Sequence, residues 1–345
     1  MRILFDCGTP FFLAHGGLTL QVRQTLQALQ RLGLTVEHAR WWEDDLEADV
    51  LHFFGKPTPQ YAALCRQKRR RLVISDLLTA QGSYGAWRRA INPVVLGADR
   101  LSGGAVRRFL RWSVYDAASA LVALTEWEGR LLVRLYGADP RRIRVVPNGV
   151  DEIFLEPGPE PAHRAGHLLC TATITGRKRV LELARAAARA RVPVRFVGAP
   201  YEKEDAYSRA FRDVVSSHQG LLEYAGPVDD RRALAGEYRQ ASGFVLLSAM
   251  ESQSLSALEA AACGLPLLLG DLPWARCTFG DTATYCPLGA EAREARELAG
   301  WYRALDRAPR PSRPLSWLQV AERLRDLYAD LLRTPGPVRA AEPSP

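Results

Sequence analysis

The chain has 345 residues, 47 % of them hydrophobic, which is enough for two domains with separate cores and excludes a disordered polypeptide. No run of about twenty apolar residues occurs, which excludes a membrane-spanning helix. The formal charge of +8 is uneven: residues 1–150 carry 21 Lys and Arg against 13 Asp and Glu, and the remainder carries 25 of each.

Residues 2–6 read as a strand, and the N-terminus is too soon interrupted at Asp6 for a secretory leader, so a cytoplasmic protein is expected. The six cysteines lack metal-ligand spacing and read as reduced, buried thiols rather than a zinc site. After a loop containing Gly16-Gly17, Leu20, Leu26, Leu29 and Leu32 fall on one helical face, and Gly33 stops the helix. The loop does not spell Gly-x-Gly-x-x-Gly, yet glycines at a helix start let backbone amides approach a phosphate. Strands are predicted at 49–54, 71–76, 119–124 and 142–147, with helices at 106–115 and 126–136 and an irregular stretch at 77–104. Glu156-Pro157-Gly158-Pro159-Glu160-Pro161 reads as a stiff linker, giving domains 1–156 and 157–315.

The second half restarts the alternation: strands at 167–173, 194–197, 221–225, 244–248, 265–269 and 283–286, with helices at 179–191, 203–217, 230–240 and 291–305. A last helix covers 316–333, and 334–345 are expected to be a disordered tail. Strands alternating with helices in both halves imply two doubly wound parallel sheets, with ligands beyond the carboxyl ends of the strands.

The stretch Glu251-Ser252-Gln253-Ser254-Leu255-Ser256-Ala257-Leu258-Glu259 follows a buried strand and opens an Ala-rich helix that Gly264 and Pro266 terminate. A helix N-terminus is a ready anion site. A carboxylate before it and one inside it suit hydroxyl groups on either side of a phosphate, as in a nucleotide-sugar. The alternative is that Glu259 closes a capping box with Ser256. In the loop Thr175-Gly176-Arg177-Lys178-Arg179, cations stand at a helix start, where the macrodipole disfavours them, and this points to an anionic ligand such as a diphosphate.

Together, Glu251-x7-Glu259, Arg177-Lys178, Gly16-Gly17, Val146-Pro147-Asn148-Gly149-Val150-Asp151 and Tyr224-Ala225-Gly226-Pro227-Val228 resemble the retaining GT-B glycosyltransferases of the family-4 type. The resemblance covers nearly the whole chain. It implies an α/β, GT-B fold, with two Rossmann-like domains facing across a cleft and a C-terminal helix crossing back to the first domain. It also implies that Glu251 holds the donor sugar, with the amides of Ser254 and Leu255, that Glu259 holds the ribose diol, and that Arg177 and Lys178 clamp the diphosphate. Gly16 and Gly17 would approach the donor, Gly226 and Val228 would wall the base, and His15 and Asp76 would lie on the acceptor side. The donor would be a UDP- or GDP-sugar, and the acceptor a glycan or a lipid-linked molecule. Transfer would proceed by front-face displacement with retention, without a metal ion or other cofactor.

Many relatives carry His-Asp where this chain has Ser75-Asp76. In those relatives the His contacts the donor sugar; here Ser75 either weakens that contact or leaves it to another residue, with His15 and His52 as candidates that also read as structural. The basic first half suggests peripheral contact with an anionic membrane face, and no nucleic-acid motif accompanies it. Two other readings are a nucleotide-sugar isomerase or hydrolase of the same fold and a non-catalytic nucleotide-binding protein.

Overall fold

A computed structural model describes the chain except for residues 9, 12–15, 84–105, 107–108, 111, 158–165, 203–204 and 334–345. It divides into two compact units, Met1–Asn148 with Trp317–Pro345, and Gly149–Ser316.

The first unit contains β1 (Arg2–Cys7), α1 (Gly17–Arg31), β2 (Thr35–His38), β3 (Val50–Phe54), α2 (Pro59–Gln67), β4 (Arg71–Ser75), α3 (Thr79–Ser83), α4 (Val114–Ala117), β5 (Ala120–Ala123), α5 (Glu126–Tyr136) and β6 (Ile143–Val145). The strands are all parallel, in the order β2-β1-β3-β4-β5-β6. Near-continuous apolar strands such as Leu121–Ala123 are buried, as expected of a parallel sheet covered on both faces. The short helix α2 is absent from the periodicity reading. Its start signal is nevertheless explicit: Thr58 caps the N–H of Tyr61 at 3.1 Å and Pro59 occupies the first turn.

The second unit contains α6 (Glu152–Leu155), β7 (Leu168–Thr171), α7 (Val180–Ala190), β8 (Val194–Val197), α8 (Ala206–Ser216), β9 (Leu222–Gly226), α9 (Arg231–Gln240), β10 (Gly243–Leu246), α10 (Leu255–Ala262), β11 (Leu267–Gly270), α11 (Pro273–Phe279), β12 (Thr284–Cys286) and α12 (Glu291–Arg303). Its parallel sheet runs β12-β11-β10-β7-β8-β9. The strand order reverses between β7 and β10, and the crevice beyond that switch point is where such sheets bind ligands.

The units divide at Asn148, ahead of the Pro-rich stretch expected to mark the boundary. The reason is packing: Val150 and Phe154 belong to the core of the second unit, and Val150 bridges Ser316. The last helix, α13 (Trp317–Arg333), belongs to the first unit and packs along α1. Trp317, Val320, Ala321, Leu324, Leu327 and Tyr328 form its buried stripe at helical spacing. Among the described residues, no helix is long and apolar enough to cross a membrane.

One glycine is a steric requirement. Gly198, just after β8, has φ 145°, and a Cβ there would sit 2.0 Å from the carbonyl oxygen of Ala172. The neighbour is backbone, so it cannot rotate away. Gly198→Ala is expected to destabilise the second unit by about 2–3 kcal/mol, through overpacking and a disfavoured φ. Urea unfolding of the variant beside the parent checks this, and equal midpoints would refute it.

Candidate functional site

The β7–α7 and β10–α10 connections leave the sheet on either side of the switch point, and they meet. The Ala249 N–H donates to the Arg177 carbonyl at 2.9 Å, tying the two loops by backbone alone. Glu251 follows at once and is buried. Lys178 Nζ contacts its Oε1, Ser248 Oγ donates to the same oxygen at 2.8 Å, and Arg177 Nη1 lies 3.5 Å from Oε2. Arg177 is further held by the Met250 carbonyl at 3.0 Å. Lys178 is largely covered, whereas Arg177 leaves about a third of its side chain exposed.

Helix α10 begins at Leu255 with Ser254 as its cap, whose Oγ accepts from the Ala257 N–H at 3.3 Å. This start lies inside the stretch Glu251–Glu259 expected to open the helix. The capping-box alternative for Glu259 does not hold. Glu259 is largely buried and takes no bond from the Ser256 N–H, but accepts from Arg231 Nη2 at 2.7 Å and from the Tyr238 hydroxyl at 2.9 Å. Burial pushes its carboxyl up from the usual range, and Arg231 and Tyr238 oppose that shift.

The third cation of the loop turns elsewhere. Arg179 adopts φ 54° and donates through Nη2 to fully buried Glu294 of α12 at 2.6 Å. The Gly289 N–H donates to the same oxygen of Glu294 at 2.7 Å. Carboxylates of this chain therefore answer the macrodipole mismatch read from the sequence.

Of the other predicted residues, Gly226 ends β9 with φ 76°, and its carbonyl accepts from the Gly198 N–H at 2.9 Å. Val228 packs against the second core. Both lie two strands from β7, at the same carboxyl edge. Gly16 and Gly17 belong to the first unit, where Gly16 caps α1 with φ 144°, a conformation open to glycine. Asp76 follows β4 there and accepts from the Tyr115 hydroxyl at 2.6 Å, while burial raises its carboxyl. His15 lies outside the described residues.

His52 is not a ligand-facing group. Its Nε2 is 2.7 Å from Ser75 Oγ and its Nδ1 is 2.6 Å from the Tyr328 hydroxyl, all buried. Ser75, in place of the expected His, is thus one end of an internal chain that ties α13 to β3 and β4.

Sequence reasoning missed Ser248, Arg231, Asp151 and Glu294. Arg231 carried a signal, since it opens α9, where a cation is disfavoured without a carboxylate partner. An open groove of about 620 Å³ lies at the opposite, amino end of β7–β9 and contains none of these residues. Among the described residues, no cluster of three or more His, Cys, Asp or Glu is arranged to hold a metal ion.

Solved structures share this architecture. Sucrose-phosphate synthase from Thermosynechococcus elongatus superposes with a TM-score of 0.69 over 96 % of this chain and 99 % of that one, at 15 % identity. Anabaena Alr3699/HepE, in complex with UDP and glucose, superposes with a TM-score of 0.64 over 95 % and 99 %, at 13 % identity. At such identities the likeness defines the fold, which is that of GT-B glycosyltransferases. The family follows from sequence: residues 22–153 match the model of Glycosyltransferase Family 4, and residues 165–300 match Glycosyl transferases group 1. The chain belongs to this glycosyltransferase family. The D-inositol 3-phosphate glycosyltransferase of Kineococcus radiotolerans is 30 % identical over 67 % of this chain and 61 % of its own length. The D-inositol 3-phosphate glycosyltransferase 2 of Catenulispora acidiphila is 37 % identical over 45 % of this chain and 40 % of its own length. The matched segments thus span only about two fifths to three fifths of these relatives.

Proposed function

We propose that the chain is a retaining glycosyltransferase that moves a sugar from a nucleotide-diphosphate sugar, UDP- or GDP-linked, to a hydroxyl of a glycan or lipid-linked acceptor. One observation carries the reading. Glu251 stands between Lys178 and Arg177, beside the start of α10, at the switch point of a parallel sheet.

In this reading the diphosphate lies against Arg177, Lys178 and the positive end of α10, and the N–H groups of Ser254 and Leu255 help Glu251 hold the donor sugar. Glu251 accepts from the sugar hydroxyls, and Glu259 from the ribose diol. Val228 and the backbone at Gly226 flank the base. As the C1–O bond loosens toward an oxocarbenium ion, negative charge grows on the leaving diphosphate. The two cations stabilise it more in the transition state than in the ground state. The acceptor hydroxyl attacks from the leaving-group face and yields its proton to the departing phosphate, giving retention. Gly16 and Gly17 are assigned to the donor, and His15 and Asp76 to the acceptor side. In this reading the transfer uses no metal ion or other cofactor. The net positive charge of residues 1–150 supports a peripheral contact with an anionic, cytoplasm-facing membrane surface. Relatives named for D-inositol 3-phosphate favour a small phosphorylated polyol as a second acceptor class.

A thermal-shift panel of UDP-, GDP- and ADP-sugars tests the donor. One of the first two is expected to raise the melting temperature, since ligand at 100 times its Kd adds about 2.7 kcal/mol of apparent stability. No shift with any of them would refute the donor reading. Donor consumption without an acceptor would instead favour a hydrolase.

A further inference from the structure

We propose that Arg231, anchored by Asp151, is the positioning residue that sets Glu259 for a ribose diol, so that selection of ribonucleotides over 2′-deoxyribonucleotides runs through these three side chains. The inference rests on the ribose reading of Glu259 given above, and it gives Asp151 of the Val-Pro-Asn-Gly-Val-Asp segment a purpose.

The geometry is closed on both sides of the carboxylate. Arg231 Nε donates to Asp151 Oδ2 at 2.7 Å, and its Nη2 donates to Glu259 Oε1 at 2.7 Å. The guanidinium carbon lies 4.6 Å from the centre of the Phe154 ring, which fixes the plane of the fork. The Tyr238 hydroxyl donates to Oε2 at 2.9 Å and is itself close to Thr171 Oγ1, the last residue of β7. Each carboxylate oxygen keeps a second lone pair for a ligand hydroxyl.

The charge state is the reason a cation is needed. A diol donates two hydrogen bonds, so it wants a carboxylate that only accepts. Glu259 is buried, and burial alone favours the protonated form, which would present a donor instead. The Arg231 guanidinium opposes that shift and favours the charged form. Asp151 in turn compensates Arg231 and keeps its fork from swinging away.

Calorimetric titration of the full chain with UDP and GDP, and with their 2′-deoxy counterparts, tests the chain of contacts. For whichever ribonucleotide binds, Arg231→Gln is expected to weaken affinity about 10-fold or more while changing the 2′-deoxy affinity less than about threefold. Asp151→Asn should give the same pattern with a smaller amplitude, and it serves as the second variant should Arg231→Gln fail to fold. Arg231→Lys, which keeps the charge but not the fork, should recover part of the ribose preference. Equal losses for both nucleotides, or no loss for either, overturns the proposal. Should Glu259→Gln abolish ribose preference while Arg231→Gln and Asp151→Asn keep it, the positioning role alone falls. Should Glu259→Gln leave the preference intact, the ribose reading and the positioning role fall together.

Discussion

Glu251→Gln is expected to lower turnover at least about 100-fold while leaving the fold intact. The substitution keeps the side chain's size and an acceptor oxygen for Ser248, which donates to Glu251 at 2.8 Å. It removes the negative charge that Lys178 and Arg177 both face. Hydrogen bonds to charged groups are worth about 1.5–3 kcal/mol each, and losing one preorganised transition-state contact typically costs about 10²–10³ in kcat. Two effects push the same way. A sugar hydroxyl loses its strongest acceptor, and the two cations lose the partner that holds them in place. The loss should fall on kcat more than on nucleotide affinity, because Arg177 keeps its bond to the Met250 carbonyl and both cations, like the start of α10, still meet the diphosphate charge. Steady-state kinetics on the donor identified by thermal shift, with circular dichroism as the folding control, checks this. Turnover within about threefold of the parent would remove Glu251 from the mechanism.

The parts of the site that sequence could reveal are those whose partners are a few residues away or repeat a local rule. Glu251 stands out because a buried apolar strand runs into it and a Ser-capped, Ala-rich helix follows. The Arg177-Lys178 pair stands out because cations at a helix start contradict the macrodipole. The contact between them, 73 residues apart for Lys178, follows from topology: β7 and β10 are neighbours only because the strand order reverses there. Glu259 was ambiguous for the opposite reason. Its four-residue neighbourhood spells a capping box, and the partners that displace that role, Arg231 and Tyr238, lie 28 and 21 positions earlier, on a different helix. The fold itself was legible from alternation, since both parallel sheets consist of short apolar runs between helical periods. The boundary was not, because proline content marks stiffness. What ends the first unit is instead Val150 and Phe154 entering the second core.

The same limit applies to His52, whose role no local pattern discloses, and it leads to a pH-dependent expectation for the first unit. The imidazole is fully buried, and burial lowers its pKa from 6.5 to about 3. Ser75 Oγ and the Tyr328 hydroxyl take its two nitrogens, so the folded protein holds it neutral. In the unfolded chain it titrates near 6.5. The unfolded state therefore binds the proton first. The stabilisation is fully present above pH 6.5 and is lost progressively as pH falls toward 3. At about 1.4 kcal/mol per unit, the single group should cost about 2 kcal/mol between pH 6.5 and 5. The effect should centre on β3 and on α13, which Tyr328 fastens to the sheet, and amide hydrogen exchange of these elements at pH 7 and pH 5 would register it. In His52→Gln, which keeps a donor and an acceptor but cannot take up a proton in this range, the loss of protection between the two pH values should shrink by that amount. An unchanged pH response in the variant would mean that His52 is not the group that titrates, and that the acid sensitivity of the first unit resides elsewhere.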